Sequence, residues 1–234
     1  MTSADASEGS PGPDRLISGT DWELLDVLIG PDQGCPTVPE LLSSLIHGAP
    51  PVKARALYDL SEAINHQNSI AEATAPAMTV IAALLTHPST DLVSLPAVPH
   101  RTDTLTSLRA GLLRLMGAVL DDVGDETEAA GRRFGFDLTA EYLQVRATRP
   151  ALLPAVLRLL DDPDVRVREA AALTSIPLSE DPSIAQRQAL KERAIAILSS
   201  SAEPRHRAVA ARIRGLPDNP AVLDDRGCRG DPPF

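Results

Sequence analysis

The stretch that decides the fold of this 234-residue chain is LLPAVLRLLDDPDVRVREAAAL, residues 152–173. Its first half repeats leucine and valine at the helical period, and the sequence DDPD then interrupts the pattern. The second half resumes the period, so the stretch predicts two amphipathic helices joined by a tight turn, with Pro154 in the first turn of the first helix. Neither helix can bury its apolar side alone. Similar helical pairs must therefore stack beside it, and we expect Leu157 and Leu173 to be buried between neighbours.

A second copy of the pattern lies earlier in the chain. Val52, Arg55 and Leu60 precede a valine, an arginine and a leucine of the quoted stretch by a constant 113 positions. This offset corresponds to three repeats of about 38 residues. A further, more divergent pair of helices is predicted within residues 190–216, so the chain should contain about four to five helical pairs.

The turn and second helix of the quoted stretch resemble those of a known repeat family. The sequence DPD followed by V-R-x-R-E-A-A-A-L is similar to the turn and second helix of HEAT repeats. The resemblance implies an all-α fold, a right-handed α-solenoid of stacked helical pairs (HEAT-like repeats). It also implies that the second helices line a concave face, which in this family commonly binds a partner.

Residues 60–85 carry a second local resemblance. The elements H-Q-x-S, A-T and a closing L-L are similar to a recurring segment of uncharacterised bacterial HEAT-repeat proteins. This chain has Asn68 and Ala71 where that segment usually has a glycine and an aromatic residue.

Composition predicts one helical domain, residues 18–216. Aromatic residues make up 3% of the chain and hydrophobic residues 43%, as expected where helices pack on helices. Residues 1–17 and 217–234 are rich in glycine, proline and acidic residues, and we predict a disordered leader and a disordered tail. A lid helix over residues 21–28 should cover the first helical pair.

Three features predict a cytoplasmic protein without a membrane anchor. No apolar run is long enough to span a bilayer, and the leader lacks the apolar centre of a secretory signal. Cys35 and Cys228 are the two cysteines of the chain, and they form no recognisable disulfide framework. A reducing compartment suits such a pair best.

Charge is divided unevenly along the chain, whose net charge is −10. There are eight basic and 20 acidic residues up to Glu141, whereas residues 142–216 hold 12 basic and eight acidic ones. The negative net charge disfavours nucleic acid as a partner, because neutralised phosphates supply most of the affinity in such complexes. The acidic half instead suits a basic protein.

Charged positions of the second helices are the candidate contacts on the concave face. They are Asp59, Glu62, His66 and Gln67 at the acidic end, and Arg166, Arg168 and Arg205 at the basic end. A structural alternative exists for Arg166 and Arg168, which can pair with the aspartates of the turn.

Signals for catalysis are weak in this sequence. Glu62 and His66 stand four residues apart, a spacing that can place two metal ligands on one side of a helix. No second histidine is nearby, so a polar helix end, with His66 and Gln67 bonding free carbonyl groups, is the preferred interpretation. The chain has no G-x-S-x-G, P-loop or dinucleotide-binding glycine motif. We therefore predict no catalytic residue, no metal and no cofactor.

Three functional hypotheses remain. The first is a non-catalytic protein-binding solenoid, an adaptor or a toxin-neutralising immunity protein, whose partner is another protein or a peptide. The second is an enzyme on a HEAT-like scaffold, similar to the alkylpurine DNA glycosylases, which need a basic concave face with aromatic residues. The third is an accessory protein that holds a peptide or a small molecule in the groove during a biosynthetic pathway.

Overall fold

A computed structural model describes residues 11–91, 93–95 and 107–215, so the predicted tail lies outside the described residues. The described chain is mostly helical, which confirms the predicted all-α class. The helices are α1 (Pro13–Ser18), α2 (Val38–His47), α3 (Pro50–Ile64), α4 (Thr74–Leu85), α5 (Leu108–Asp122), α6 (Asp125–Arg133), α7 (Ala140–Leu159), α8 (Val165–Leu178), α9 (Arg187–Ser199) and α10 (Pro204–Ile213). Two short strands, β1 (Asn65–His66) and β2 (Ser69–Ile70), form an antiparallel hairpin between α3 and α4. Within the described ranges, no helix combines the length and the apolar content that crossing a bilayer requires.

The end of the predicted leader, 1–17, differs from the expected disorder. Its first ten residues lie outside the described part of the chain, but helix α1 begins at its thirteenth residue. A proline occupies the first position of this helix, where a missing N–H costs little. Leu16 and Ile17 then pack against the core, and this burial fixes the helix on α4 and α2.

One apolar core joins the helices. Consecutive helices pack as pairs, α2 on α3, α7 on α8 and α9 on α10, while α4 also packs on α7 and α5 on α8. The approach of α5 to α8 is close, because a Cβ atom added at Gly117 would lie 3.1 Å from Oγ1 of Thr174. That hydroxyl group is held in place by a 2.8 Å hydrogen bond to the carbonyl oxygen of Leu113. A side chain at this position would crowd Thr174, so Gly117 permits the close approach of α5 to α8.

Helix α7 is longer than predicted, and its buried residues also differ from the prediction. It is continuous through Pro150 and Pro154, so the prediction that Pro154 lies in a first turn is wrong. Both prolines are exposed, and water can bond to the carbonyl groups that lose a helical partner. Leu152 is fully buried, but Leu157 is 38% exposed. The predicted burial of Leu157 is therefore wrong, because Leu152, Val156 and Leu159 form the buried side of α7 and Leu157 lies about 100° around the helix from Val156.

The predicted lid helix over residues 21–28 is replaced by a 3-10 turn at Trp22–Leu24 and extended backbone. The indole N–H of Trp22 donates a 2.8 Å hydrogen bond to the carbonyl oxygen of Ile17. The N–H of Leu28 donates to the carbonyl oxygen of Ala63 at 2.9 Å, which ties the segment to α3. The segment therefore covers the first helical pair without being a helix.

A buried cation closes the end of α2. Lys53 is 5% exposed, and its Nζ donates hydrogen bonds of 2.6 and 2.7 Å to the carbonyl oxygens of Leu45 and Ile46. These carbonyl groups carry the partial negative charge of a helix C-terminus, which an ammonium group complements. Burial nevertheless lowers the pKa of Lys53. The cation therefore links the beginning of α3 to the end of α2.

Candidate functional site

The acidic end of the predicted surface is partly closed. Asp59 is 7% exposed, and its Oδ2 accepts a 2.7 Å hydrogen bond from Nε of Arg55. The thiol of Cys35 lies 3.9 Å from the carbonyl oxygen of Asp59. Burial, followed by the Asp59 charge, raises the pKa of this thiol, which disfavours a reactive thiolate. Asp59 is therefore neutralised inside the fold, unlike the exposed contact that the sequence predicted.

His66 and Gln67 lie in the β hairpin, which differs from the predicted polar helix end. The strands pair around Gln67 and Asn68, whose φ angles are 52° and 61°. Two successive residues with positive φ are what a type I′ turn requires. Nδ1 of His66 lies 2.8 Å from Oε2 of Glu62, so this predicted pair is in contact. Gln67 is exposed at the tip of the hairpin.

Polar contacts attach the hairpin to α5 and α7. Nδ2 of Asn65 donates to Oδ2 of Asp122 at 2.8 Å, and the hydroxyl of Tyr142 donates to the carbonyl oxygen of Asn68 at 2.8 Å. Burial raises the pKa of Asp122. Burial, with a contribution from the Asp122 charge, also raises the pKa of Tyr142. In the part of the chain that the structure describes, no three histidine, cysteine or acidic side chains come together as metal ligands would.

The predicted basic residues have structural contacts of their own. Nη2 of Arg166 lies 2.9 Å from Oδ2 of Asp164, and Nη1 of Arg168 donates to the carbonyl oxygen of Asp162 at 2.7 Å. The Arg166 guanidinium group lowers the pKa of Asp164. Arg205 is exposed on α10. These contacts favour the structural alternative for Arg166 and Arg168.

The contact that Arg168 makes with a backbone carbonyl oxygen recurs 39 positions later, at Arg207. Nη1 of Arg207 donates to the carbonyl oxygen of Ser201 at 2.7 Å, as Arg168 does to that of Asp162. The Asp162 side chain accepts a 2.9 Å bond from the N–H two residues ahead, and the Ser201 hydroxyl accepts an equivalent bond of 3.0 Å. The two turns share one geometry although their sequences, DPDV and SAEP, differ.

A histidine and an acid accompany the second of these turns. Nδ1 of His206 lies 3.2 Å from Oγ of Ser201 and 3.1 Å from Oε2 of Glu169. A nucleophilic triad needs its serine and its acid on opposite ring nitrogens. Both partners here lie at Nδ1. The cluster therefore joins α8 to α10 and supplies no activated nucleophile.

An arginine buried in α7 joins that helix to the ends of α5 and α8. Nη2 of Arg149 lies 3.3 Å from both the carbonyl oxygen of Val123 and Oε2 of Glu180. Burial lowers the pKa of Arg149 and raises that of Glu180. Glu180 also accepts a 3.1 Å bond from the N–H of Asp125, the first residue of α6. These groups close two helix ends and face one another, while Nε of Arg149 is buried without a hydrogen-bond partner among the described residues.

An open groove crosses the face formed by α5, α8 and α10. Its volume is about 230 Å³. The lining is mainly small or apolar and includes Gly117, Ala118, Leu173, Ile176, Val209 and Ile213. Helices α8 and α10 correspond to the second helices of two pairs that the sequence predicted, and α5 packs against α8.

Two guanidinium groups border this groove. Arg114 on α5 and Arg212 on α10 are exposed, and neither forms an ion pair with another described residue. By contrast, Arg146 and Arg149 each lie beside a carboxylate. Asp121 adds one carboxylate to the lining. The groove therefore offers an apolar floor with two cations whose charge is available to an external group.

Sequence reasoning missed this groove. Leu173 was expected to be buried, but it is half-buried and forms part of the floor, and the two bordering arginines were not singled out. A usable signal was present on α8, where Leu173 and Ile176 extend the apolar side beyond the buried residues. The positions of α5 and α10 relative to α8 depend on tertiary packing, and no local pattern predicts them.

A second cavity of about 430 Å³ lies under the N-terminal segment. Its lining is mostly apolar and includes Trp22, Leu25, Val27, Ile29, Pro36 and Val38. Glu23 and Thr37 are polar residues at its edge. This cleft has the volume of a small-molecule pocket, whereas the groove between α5, α8 and α10 is smaller.

No family model, curated protein or solved structure matches this chain. The candidate surfaces therefore rest on the geometry of the chain itself. The resemblance to HEAT repeats stays a prediction from the sequence.

Proposed function

We propose that the protein is a non-catalytic binding module, an adaptor or an immunity-type protein, that holds another protein or a peptide in the groove of α5, α8 and α10. The observation that carries this proposal is the apolar floor between two arginines that have no ion-pair partner among the described residues. A volume of about 230 Å³ falls below the range of about 300–1,000 Å³ for small-molecule pockets. It suits one or two anchoring side chains of a larger partner.

The proposed architecture is a right-handed solenoid of four HEAT-like pairs: α2 with α3, α4 with α5, α7 with α8, and α9 with α10. Two observations support it. Helices α4 and α7 pack side by side, as do α5 and α8, which is the contact pattern of stacked pairs. The turns at Asp162 and Ser201 also repeat one hydrogen-bonding geometry at a spacing typical of such repeats.

Electrostatics suggest which kind of partner this groove holds. Asp59 is neutralised by Arg55, so the acidic contact expected from the sequence contributes little to binding. Arg114 and Arg212 have no such neutralising partner among the described residues. We therefore propose that the segment entering the groove combines apolar side chains with carboxylates.

Ala118 allows the proposal to be tested without disturbing the core. It is exposed on α5 and lines the groove, so Ala118→Trp fills the binding space. Ala196→Trp is the matched control, since Ala196 is exposed on α9 and does not line the groove. Proteins captured from the native cell by each form are identified by mass spectrometry, and the purified partner is then titrated calorimetrically. We expect Ala118→Trp to weaken binding about tenfold or more, while Ala196→Trp binds like the native chain.

Two results would contradict the proposal. One is a purified partner that binds the Ala118→Trp form as tightly as the native chain. The other is turnover of a small substrate by the pure protein without any partner.

The cleft beside Trp22 favours one second candidate function, an accessory protein that holds an apolar small molecule or a peptide. Its volume of about 430 Å³ is within the range of ligand pockets. Trp22 is the single tryptophan of the chain, so a ligand that enters the cleft changes the only indole emission. Saturable changes in Trp22 fluorescence with a pathway intermediate, at unchanged affinity in the Ala118→Trp form, would favour this function over the first.

A further inference from the structure

The groove and one segment of the same chain have complementary chemistry. The groove presents an apolar floor bordered by Arg114 and Arg212. Residues 219–225, NPAVLDD, place three apolar residues directly before two aspartates. They belong to the part of the chain that follows α10, the helix that carries Val209, Arg212 and Ile213 into the groove.

We propose that the groove is a docking site for an apolar segment followed by carboxylates, and that residues 221–225 of this chain are its resident occupant. Val222 and Leu223 then cover the floor, and Asp224 and Asp225 pair with the two arginines. The proposal rests on the binding role given to the groove above. It adds a competitor that any external partner has to displace.

Chain length permits this placement. Leu223 lies eight positions after Gly215, and an extended chain of that length reaches about 27 Å. A ten-residue helix such as α10 is only about 15 Å long. The segment can therefore turn back along α10 and reach the groove at the level of Val209.

Charge favours the same placement. Helix α10 contains three arginines and no acidic residue, and a fourth arginine, Arg214, follows directly. Residues 216–225 contain three aspartates and no basic residue. Asp121 borders the groove as a carboxylate, so the two aspartates of the segment should lie beside the arginines and away from this residue.

A single cysteine in the right place makes the docking measurable. In a Cys35→Ser background, Cys228 is the remaining thiol and lies three residues beyond Asp225. A benzophenone maleimide attached there is irradiated in the full chain, and the cross-linked residues are located by mass spectrometry. We expect cross-links within one chain to concentrate on α5, α8 and α10.

Charge reversal tests whether the proposed ion pairs guide the docking. Arg114→Glu with Arg212→Glu, or Asp224→Lys with Asp225→Lys, should each lower the yield of these cross-links by about threefold or more. All four changes together restore opposite charges and should bring the yield back. Arg132→Glu with Arg133→Glu, on the exposed side of α6, is the matched control and should leave it unchanged.

Three outcomes would overturn the assignment. Cross-links spread over other surfaces, or a cross-linking yield that charge reversal does not change, would exclude residues 221–225 as the occupant. Cross-links between an isotope-labelled and an unlabelled copy would make a second copy the occupant. None of these changes the response of partner affinity to Ala118→Trp, so failure here is distinguishable from failure of the proposed function. If the segment does occupy the groove, Asp224→Lys with Asp225→Lys should strengthen partner binding several-fold.

Discussion

Lys53 and Lys191 are the two lysines of the chain, and their surroundings are opposite. The buried ammonium of Lys53 satisfies carbonyl groups at the end of α2, whereas Lys191 is partly exposed on α9. Lys53→Met removes the donor and leaves the carbonyl oxygens of Leu45 and Ile46 without it. We expect a loss of about 1–3 kcal/mol in the free energy of unfolding, measured by urea titration.

Lys191→Met is the matched control for this change and should alter stability by less than about 0.5 kcal/mol. Equal losses in the two variants would show that the carbonyl contacts of Lys53 do not stabilise the end of α2.

The carboxyl group of Asp122 makes the stability of the folded protein depend on pH in a direction that can be predicted. Burial raises its folded-state pKa above the ordinary value of 3.8, so the folded protein binds this proton more tightly than the unfolded chain does. The resulting stabilisation is present below that ordinary value and is lost as the pH rises through the raised pKa. Asp122→Asn removes the titration, and the asparagine Oδ1 can still accept the bond from Asn65. We expect the stability of the variant, relative to the native chain, to improve between about pH 4 and about pH 7 by less than about 1 kcal/mol.

Asp137→Asn serves as the control, because Asp137 is exposed and its charge is not among the causes of the raised pKa of Asp122. Urea titrations at about pH 4 and about pH 7 measure the free energy of unfolding of both variants and of the native chain. A relative stability of Asp122→Asn that falls with rising pH would show that the carboxylate is better solvated than its burial implies.

At the scale of a single helix, α7 separates two leucines that look equivalent in the sequence. Leu152 is fully buried, whereas Leu157 is 38% exposed. Leu152→Ala should cost about 2–5 kcal/mol of unfolding free energy, because it leaves a cavity in the core. Leu157→Ala should cost less than about 1 kcal/mol, and chemical denaturation of both variants measures the difference. Similar losses at the two positions would place the buried side of α7 elsewhere.

The helices and the hairpin show how much of the secondary structure local sequence patterns can predict. The apolar period of residues 152–173 predicted helices and a turn, and Asp164 does accept a bond from the N–H of Arg166 at the start of α8. The extent of α7 was missed because local rules treat a proline as the end of a helix. A helix nevertheless tolerates a proline on its solvent-exposed side. The hairpin at Gln67 was missed because neither Gln67 nor Asn68 is followed by the glycine that usually signals its turn.

The candidate site could be predicted from the sequence only in part. Glu62 and His66 are in contact, as their spacing suggested, although His66 follows the end of α3 and lies in the β hairpin. Asp59 is buried where Cys35, 24 residues earlier, contacts its backbone, and charge patterns contain no information on such a contact. The groove brings together three helices from distant parts of the chain, so its existence depends on packing alone.

At the scale of the whole molecule, the distribution of available charge predicts how binding begins. Under the proposed function, the arginines that border the groove should attract an acidic segment at long range, and salt should weaken this attraction. Arg114→Glu with Arg212→Glu should slow association with the partner identified above by about 3–10-fold at low ionic strength, with a smaller effect on dissociation. Stopped-flow kinetics at several salt concentrations measures both rates.

Reversal of Arg132 and Arg133 controls for net charge, because it changes the total equally at a site outside the groove. Association rates that respond alike to both double variants would mean that only the overall charge of the molecule matters.

The turns at Asp162 and Ser201 also bear on how such a chain can evolve. In each turn an arginine six residues ahead bonds to a main-chain carbonyl group, which every amino acid supplies. Substitutions within the turn can therefore accumulate while the path of the chain is preserved. An arginine and a small polar residue are the side chains that the two turns share in this geometry. A molecule built in this way can keep its shape long after its ancestry has become unrecognisable in its sequence.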